Sequence, residues 1–403
     1  MFSTRVVDST FKMSEKRSSA CLAKLERLNK TLRHEEPDRV PVSDVFWGGF
    51  LKNWRESRGL APDADVNRYY DFDYMVTMPN TDPHIRDFDM LEQNVEEIVV
   101  RCGYEAVIKR KTGQQMPMWL RFETDTIEKM EGFQFDDPGD KRRFFYPGDH
   151  QIAGFEEEFL RNIPPWRDTV KSYYPDFPVY GSLAEGYESL WRVIGSENAL
   201  LWIALYPEEV GRFVERINAF CLEFARAQID AAEGMLDGMI IWGDVAYTGG
   251  MLFSPDYWRK YFQPGVKAIV ELCHERGLPV IYHGCGDVNS IFQDFIEMGV
   301  DAYNPLEAKA GLDVVTLRRK YGHRIAFRGN MDVQKWAVAD DEELKRIVLT
   351  KLNAAKGGGF IFQSDNSVPD NVSVDRYEYV INLVREFGRF PLQLGEYDLA
   401  DLS

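Results

Sequence analysis

The stretch from Pro279 to Val288, PVIYHGCGDV, is an apolar run that closes on His283, Gly284 and Cys285. His283 and Cys285 stand two positions apart, so on an extended backbone both side chains leave the same face, with Cα atoms about 6.5 Å apart. An imidazole nitrogen and a thiolate sulfur held in this way can share one ion, and zinc accepts that mixture. The same residues also suit a packed core, as a hydrogen-bonded histidine beside a small apolar thiol. A zinc site needs at least one further protein ligand.

Other polar residues end apolar runs in the same manner. Asp244 follows GMIIW, which carries a carboxylate to a buried rim, where it must be paired, bind metal, cap a helix or shift its pKa. Arg328, beside Gly329, can clamp a carboxylate with two bonds or pair with a rim acid such as Asp244 or Asp365. Asn330 ends the same run and is a candidate for substrate contact. Glu185 and Glu188, in AEGYESLW, are candidate acids or ligands. Tyr187, Trp242 and Tyr282, with Tyr74, Trp191 and Tyr247, would wall a site for a flat aromatic substrate, although core packing is the ordinary role of each. The run Gly357-Gly358-Gly359 precedes an apolar run, so it reads as a tight turn and not as a phosphate loop.

The elements that must position these residues are short, nearly continuous apolar runs, the pattern of strands buried on both faces. They fall at 39–46, 73–79, 178–184, 238–245, 278–284, 301–306, 324–330 and 360–366. Segments between them carry apolar residues at helical spacing and end in glycine, as in 254–277 and 290–299. Eight such units predict an α/β fold, a (β/α)8 TIM barrel forming one domain over 1–403. Residues 1–38 form a lead-in. Residues 80–177 form an insertion after the second strand that covers the barrel mouth. Within it the sequence predicts a hairpin turning at Cys102-Gly103 and a third strand at MPMWLRFET. In such barrels chemistry sits at the C-terminal strand ends, where the residues above fall.

Hydrophobic residues make up 44% of the 403 residues, enough for a large core. Lys and Arg number 48 against 65 Asp and Glu, a net charge of -17. That field repels phosphate backbones and anionic lipid heads, which argues against nucleic acid or membrane as partner. Five scattered cysteines are not a disulfide framework. Without an apolar signal segment or a run of about eighteen apolar residues, the expected location is the cytoplasm. A homodimer is compatible with the chain.

Three stretches, GDVAYTGGMLFSPDYWRKYFQP, YHGCGDVNSIFQDFIEMGVDAYNPLE and RGNMD, resemble the uroporphyrinogen decarboxylase superfamily. The likeness runs from the first strand to the last helix and is strongest over 238–385. It implies a barrel and one of two chemistries, cofactor-free decarboxylation of uroporphyrinogen or zinc-dependent methyl transfer involving a corrinoid protein. The decarboxylases carry an arginine-rich RQAGR stretch after the first strand. Here the segment reads VFWGGFLKNW and holds no arginine. His283-Gly284-Cys285 matches the His-X-Cys pair of the methyltransferase branch. The third ligand of its coenzyme M enzymes is a cysteine near the end of the last strand. In SDNSVPDN that place falls to Asn366. Asp365, one residue earlier, is taken as the third ligand, with Asp244 or Glu185 as alternatives.

The resemblance then implies a methyltransferase of the O-demethylase kind. A methyl group would move from a small donor, a methoxylated aromatic compound, to the Co(I) corrinoid of a partner protein docked at the barrel mouth, with Zn2+ as Lewis acid. The chain has no corrinoid motif of its own, since DPHIRD at 82–87 lacks the glycine of Asp-X-His-X-X-Gly. Asp244 would ligate metal or protonate the leaving oxygen, and Arg328 would hold the donor's carboxylate. Trp242, Tyr282, Tyr187, Asn330 and Glu185 would contact substrate. Two other readings remain open: a metal-free decarboxylase or lyase for a small non-porphyrin acid, and a non-catalytic binding protein.

Overall fold

The computed structural model describes residues 16–111, 116–150 and 161–400. Seven parallel strands form one curled sheet in sequence order: β1 (Met75–Thr77), β2 (Val179–Ala184), β3 (Gly238–Trp242), β4 (Val280–His283), β5 (Ala302–Asn304), β6 (Ala326–Met331) and β7 (Phe360–Ser364). Each lies within or against one of the apolar runs. Helices follow them on the outside, such as Gly186–Ile194 and Pro207–Ala231 after β2 and Gln263–Glu275 after β3. The fold is the expected α/β barrel.

The eighth position differs from a regular strand. Around Val42 the chain lies beside β7, with the Phe362 amide donating to the Pro41 carbonyl at 2.9 Å and the Ser43 amide to the Phe362 carbonyl at 3.2 Å. Only isolated parallel bridges form, Val42 with Phe362 and Phe46 with Val368. Pro41 has no N–H to give a ladder, which is reason enough for the interruption. On its other side the Asp73 amide donates to the Val42 carbonyl at 2.9 Å. The Asp73 carboxylate accepts from the Val42 amide at 2.6 Å, from Arg27 at 2.6 Å and from Arg39 at 2.8 Å. One fully buried carboxylate thus ties the lead-in helix Ser19–Leu32, the interrupted strand and the entry to β1 together.

Alternation along parallel strands sorts the barrel interior into two layers. The lower is apolar apart from Arg328, which pairs in register with Ile361: Tyr74, Tyr180, Ile240, Ile281, Ala302 and Ile361, with Ala326 and Leu28 of the lead-in helix beneath. Two residues further along β3, β4, β5 and β7 stand Trp242, His283, Asn304 and Gln363, all of which line a cavity at the C-terminal strand ends. The apolar layer seats the barrel, and the polar layer faces the mouth.

Part of the insertion forms a four-stranded antiparallel sheet, Asp89–Gln93, Glu97–Cys102, Ala106–Lys111 and Met118–Phe122. The hairpin and its third strand follow the sequence; Asp89–Gln93 is an additional edge strand. Trp119 packs edge-on against Trp191 at 5.2 Å, which joins this sheet to the helix after β2. Residues 1–15 of the lead-in and 112–115 and 151–160 of the insertion lie outside the described residues. Among the described residues no helix is long and apolar enough to cross a membrane.

The carboxylate at Asp73 yields a first prediction. Asp73→Ala leaves Nη1 of Arg27 and the Val42 amide without their acceptor, while Asp38 still pairs with the rest of the Arg27 guanidinium, and should lower stability by about 2–4 kcal/mol. Equilibrium urea unfolding measures it; a loss below about 1 kcal/mol would show that closure does not depend on this clamp.

Candidate active site

His283 ends β4, whose alternation turns Ile281 and His283 inward and Tyr282 outward. The register pairs His283 with Trp242 on β3 and with Asn304 on β5. The Trp242 and His283 rings lie 4.4 Å apart. Nδ1 of His283 is 2.6 Å from Oδ1 of Asn304. The Asn304 amide nitrogen donates to the Arg328 carbonyl at 3.1 Å and to Oε1 of Gln363 at 3.2 Å. Its oxygen therefore faces the imidazole, which places the proton on Nδ1 and leaves the Nε2 lone pair free. Burial holds the His283 pKa at about 4, so the ring is neutral near pH 7.

That free nitrogen faces two further donors. Sγ of Cys285 is 3.7 Å from Nε2, and Oδ1 of Asp244 is 3.8 Å from it. The three ligand atoms all lie within 4.8 Å of one another. Bonds of about 2.1 Å to nitrogen and 2.3 Å to sulfur set these atoms about 3.6 Å apart around a tetrahedral ion, so the set fits a metal. Asp244 reaches the group because Gly243 lets the chain turn tightly: a Cβ there would stand 2.1 Å from the Tyr282 hydroxyl and 2.6 Å from Cγ of Glu185. The Cys285 amide donates to Oδ1 of Asp244 at 2.8 Å, which locks the two rim loops together. Desolvation raises the Asp244 carboxyl. It also pushes the Cys285 thiol well above its ordinary range, and Asp244 and Glu307 add to that. A cation between them would relieve both.

The group opens on a cavity of about 290 Å³. Its apolar walls include Trp47, Met78, Pro117 and Trp242. Glu188 and Arg192, one turn apart on the helix Gly186–Ile194, form another wall, joined at 2.7 Å. Oε1 of Glu188 accepts the Asp244 amide at 3.2 Å. Asn366 also lines this cavity.

Several expected site residues stand elsewhere. Asp365 is outside the metal group: its carboxylate accepts the amides of Ala308 and Val333, both at 3.0 Å, and Asp244 holds the third position instead. Arg328 lies inside the barrel, not at the mouth, because β6 runs on to Met331. Its Nε donates to the Ser43 hydroxyl at 3.3 Å, and the guanidinium sits 5.2 Å over the Tyr74 ring. Gly329, at φ +146°, breaks the alternation after it, and Asn330 leaves the interior to take up the Val314 amide at 3.0 Å and Lys351 at 2.5 Å. Tyr282 points outward against Phe295, 4.4 Å away, and its hydroxyl donates to the Gly243 carbonyl at 3.2 Å. Tyr187 packs on Phe253 at 4.9 Å. Glu185 caps its helix by accepting the Tyr187 amide at 2.9 Å. None of these six lines the cavity. Asn304 and Arg192 were not singled out in the sequence, although the four-residue spacing from Glu188 to Arg192 is a signal for a paired helix face.

The fold and site define an α/β barrel with a three-residue group able to hold a metal ion at its C-terminal mouth. Residues 167–387 match the family model described as Uroporphyrinogen decarboxylase (URO-D), and the chain belongs to that family. The uroporphyrinogen decarboxylase of Magnetococcus marinus is 23% identical over 370 residues, covering 87% of this chain and 93% of that one. That of Shewanella frigidimarina is 22% identical over 377 residues, covering 90% and 97%. A methyltransferase from Methanosarcina mazei shares the fold with a TM-score of 0.58 at 16% identity, over 90% of this chain and 98% of that chain.

Glu185 gives a pH prediction. Burial, with Glu188 nearby, raises its pKa to about 8, and its Oε2 has no partner. The folded protein then binds a proton that the unfolded chain releases above the ordinary glutamate range, so this group's stabilising share is complete at low pH and declines as pH rises towards about 8. The decline is at most about 1.4 kcal/mol per pH unit. Glu185→Gln keeps an acceptor for the cap without the titration. The variant's stability relative to wild type should therefore climb between pH 5 and 8 in urea unfolding; a flat difference would show an ionised Glu185 throughout.

Proposed function

We propose that this chain is a methyltransferase that moves a methyl group from a methoxylated aromatic compound to the Co(I) corrinoid of a partner protein, with zinc held by Asp244, His283 and Cys285. The observation that carries the reading is the three-ligand group opening on an apolar, tryptophan-walled cavity. Three protein ligands leave a tetrahedral ion one place for a substrate atom. When bound, zinc supplies a Lewis acid for the ether oxygen of the donor. Asn304 orients His283, Trp242 packs on the imidazole, and the apolar walls exclude water and seat an aromatic ring. The corrinoid must approach through the mouth, since cobalt has to come within bonding reach of the methyl carbon.

Uroporphyrinogen suits this cavity poorly. Trp47, at the start of the arginine-free segment, lines it, and its only cation among the described lining residues is Arg192, already paired with Glu188. Eight substrate carboxylates would meet Asp244 and Glu188 there, each an unpaired charge that is costly to desolvate. A second reading, metal-free decarboxylation of a small acid, draws on the names of the relatives and on Arg192. It expects turnover in chelator-treated protein.

Chelator-treated protein should take up close to one zinc per chain. His283→Ala, Cys285→Ser and Asp244→Ala should each weaken uptake about 100-fold or more, whereas Asp365→Ala should leave it unchanged. Because the buried Cys285 thiol must lose its proton to bind, affinity should rise with pH between 6 and 8. Elemental analysis and competition with a zinc indicator measure this. Uptake of no zinc by wild type would end the metal assignment.

The transfer itself is read as loss of Co(I) absorbance when zinc-loaded protein and a corrinoid protein meet a panel of donors. Methoxybenzoates or methoxyphenols should consume Co(I); methanol and methylamine should not. Consumption with methanol or methylamine alone would sink the aryl ether assignment. Coproporphyrinogen formed from uroporphyrinogen would return the chain to the decarboxylases.

A further inference from the structure

Arg192 is under-used where it stands. Its side chain is 11% exposed, its guanidinium lies 4.9 Å from the Trp191 ring centre, and of its nitrogens only Nη2 is paired, 2.7 Å from Oε2 of Glu188. Nε and Nη1 are buried without a hydrogen-bond partner, and Tyr104, a residue of the insertion, is close enough to act on the charge of Arg192. A guanidinium carries five N–H donors in a planar fork, and each buried donor left unpaired costs about 1–3 kcal/mol. Either edge of the fork, Nε with Nη2 or Nη1 with Nη2, matches a carboxylate with two parallel bonds, and both edges use the Nη2 that Glu188 now holds. Glu188 supplies one oxygen to Arg192 and turns the other to the Asp244 amide, so a single carboxylate separates the guanidinium from the metal group. The cavity between them is walled by Trp47, Trp242 and Met78.

The geometry points to Arg192 as the anchor for a substrate carboxylate, so that the ligand of this cavity is an aromatic acid whose carboxylate lies on Arg192 and whose ether oxygen is turned to the metal group. The placing of the ether rests on the methyl-transfer reading; the carboxylate anchor does not. Glu188 then has a second part to play. While the anchor is empty it neutralises the guanidinium, and it competes with the incoming carboxylate for the same fork. Met116 and Pro117 of the insertion line the same cavity. An arginine set in a helix, away from the strand ends, would select among methoxylated aromatics by charge: methoxybenzoates over anisole and methoxyphenols.

Binding is tested by calorimetry with 4-methoxybenzoate, 4-methoxyphenol and anisole, on chelator-treated and on zinc-loaded protein. Wild type should bind 4-methoxybenzoate at least about tenfold more tightly than anisole in both forms. Arg192→Met should remove that preference while changing anisole affinity less than roughly threefold. Arg192→Lys keeps the charge without the fork and should lose most of the preference as well. Glu188→Gln frees the guanidinium and should tighten 4-methoxybenzoate binding several-fold, a gain that a damaged fold would not produce. Unchanged 4-methoxybenzoate affinity in Arg192→Met, affinity that needs zinc and ignores Arg192, or weakening by Glu188→Gln would each overturn the anchor. Arg192-dependent binding supports it whether or not Co(I) is consumed, so the anchor and the methyl transfer fail separately.

Discussion

The hydrogen bond from His283 to Asn304 is the constraint on which the site depends. Neighbouring parallel strands place residues of equal height side by side, and here that row is Trp242, His283 and Asn304. The Asn304 amide has its two N–H groups committed to Arg328 and Gln363 on the next two strands, so its oxygen has one direction left. That direction fixes the imidazole tautomer. A ring turned over, or protonated at Nε2, would present no lone pair to the space shared with Cys285 and Asp244. An amide in this place also leaves the histidine a neutral partner, unlike the carboxylate that often backs a metal-bound imidazole, and so adds no further negative charge to an already acidic mouth.

The charge around the mouth is of the sign that suits a cation. Asp244, Glu188 and Glu307 converge on the Cys285 loop, with Glu307 accepting the Gly286 amide at 2.8 Å. Against them stand Arg192 and, outside, Lys309, 2.8 Å from Glu307. Desolvation pushes Asp244, Glu188 and Cys285 all towards their protonated forms. A cluster whose members all resist ionisation is costly as an empty fold feature and becomes favourable around a positive ion.

Seven of the barrel strands were legible because strands buried on both faces need uninterrupted apolar residues, and little else in the chain does. The first was legible in its apolar content but not in its pairing, which Pro41 interrupts. Asp89–Gln93 escaped notice because an exposed edge strand has no face to bury and so no alternation to read. In the site, the spacing of His283 and Cys285 reveals a shared face from one strand alone. Choosing Asp244 over Asp365 needs the course of two loops across the rim, which no local pattern encodes. Arg328 lies a layer lower than its sequence suggests because β6 continues three residues beyond it, while Arg192 sits on a helix placed chiefly by packing on Pro207–Ala231, a long-range contact that no local pattern shows.

The family fold and the site chemistry therefore separate along physical lines. The barrel needs an apolar lower layer, the Asp73 clamp and helices on the outside, and none of these specifies a substrate. The substrate is decided by a handful of rim positions: whether the segment after the first strand brings arginines or Trp47, whether β4 ends in a pair of ligands, and where the cavity's cation stands. In this chain the segment around Trp47 holds no arginine, the cavity's guanidinium stands on the helix after β2, where Glu188 pairs with it, and Asp244, His283 and Cys285 gather next to that pair. The guanidinium and the three candidate ligands thus stand beside one another, bridged by the Glu188 carboxylate, with apolar residues on the remaining walls. Changing these rim residues would alter what the cavity accepts while leaving the apolar lower layer and the Asp73 clamp untouched.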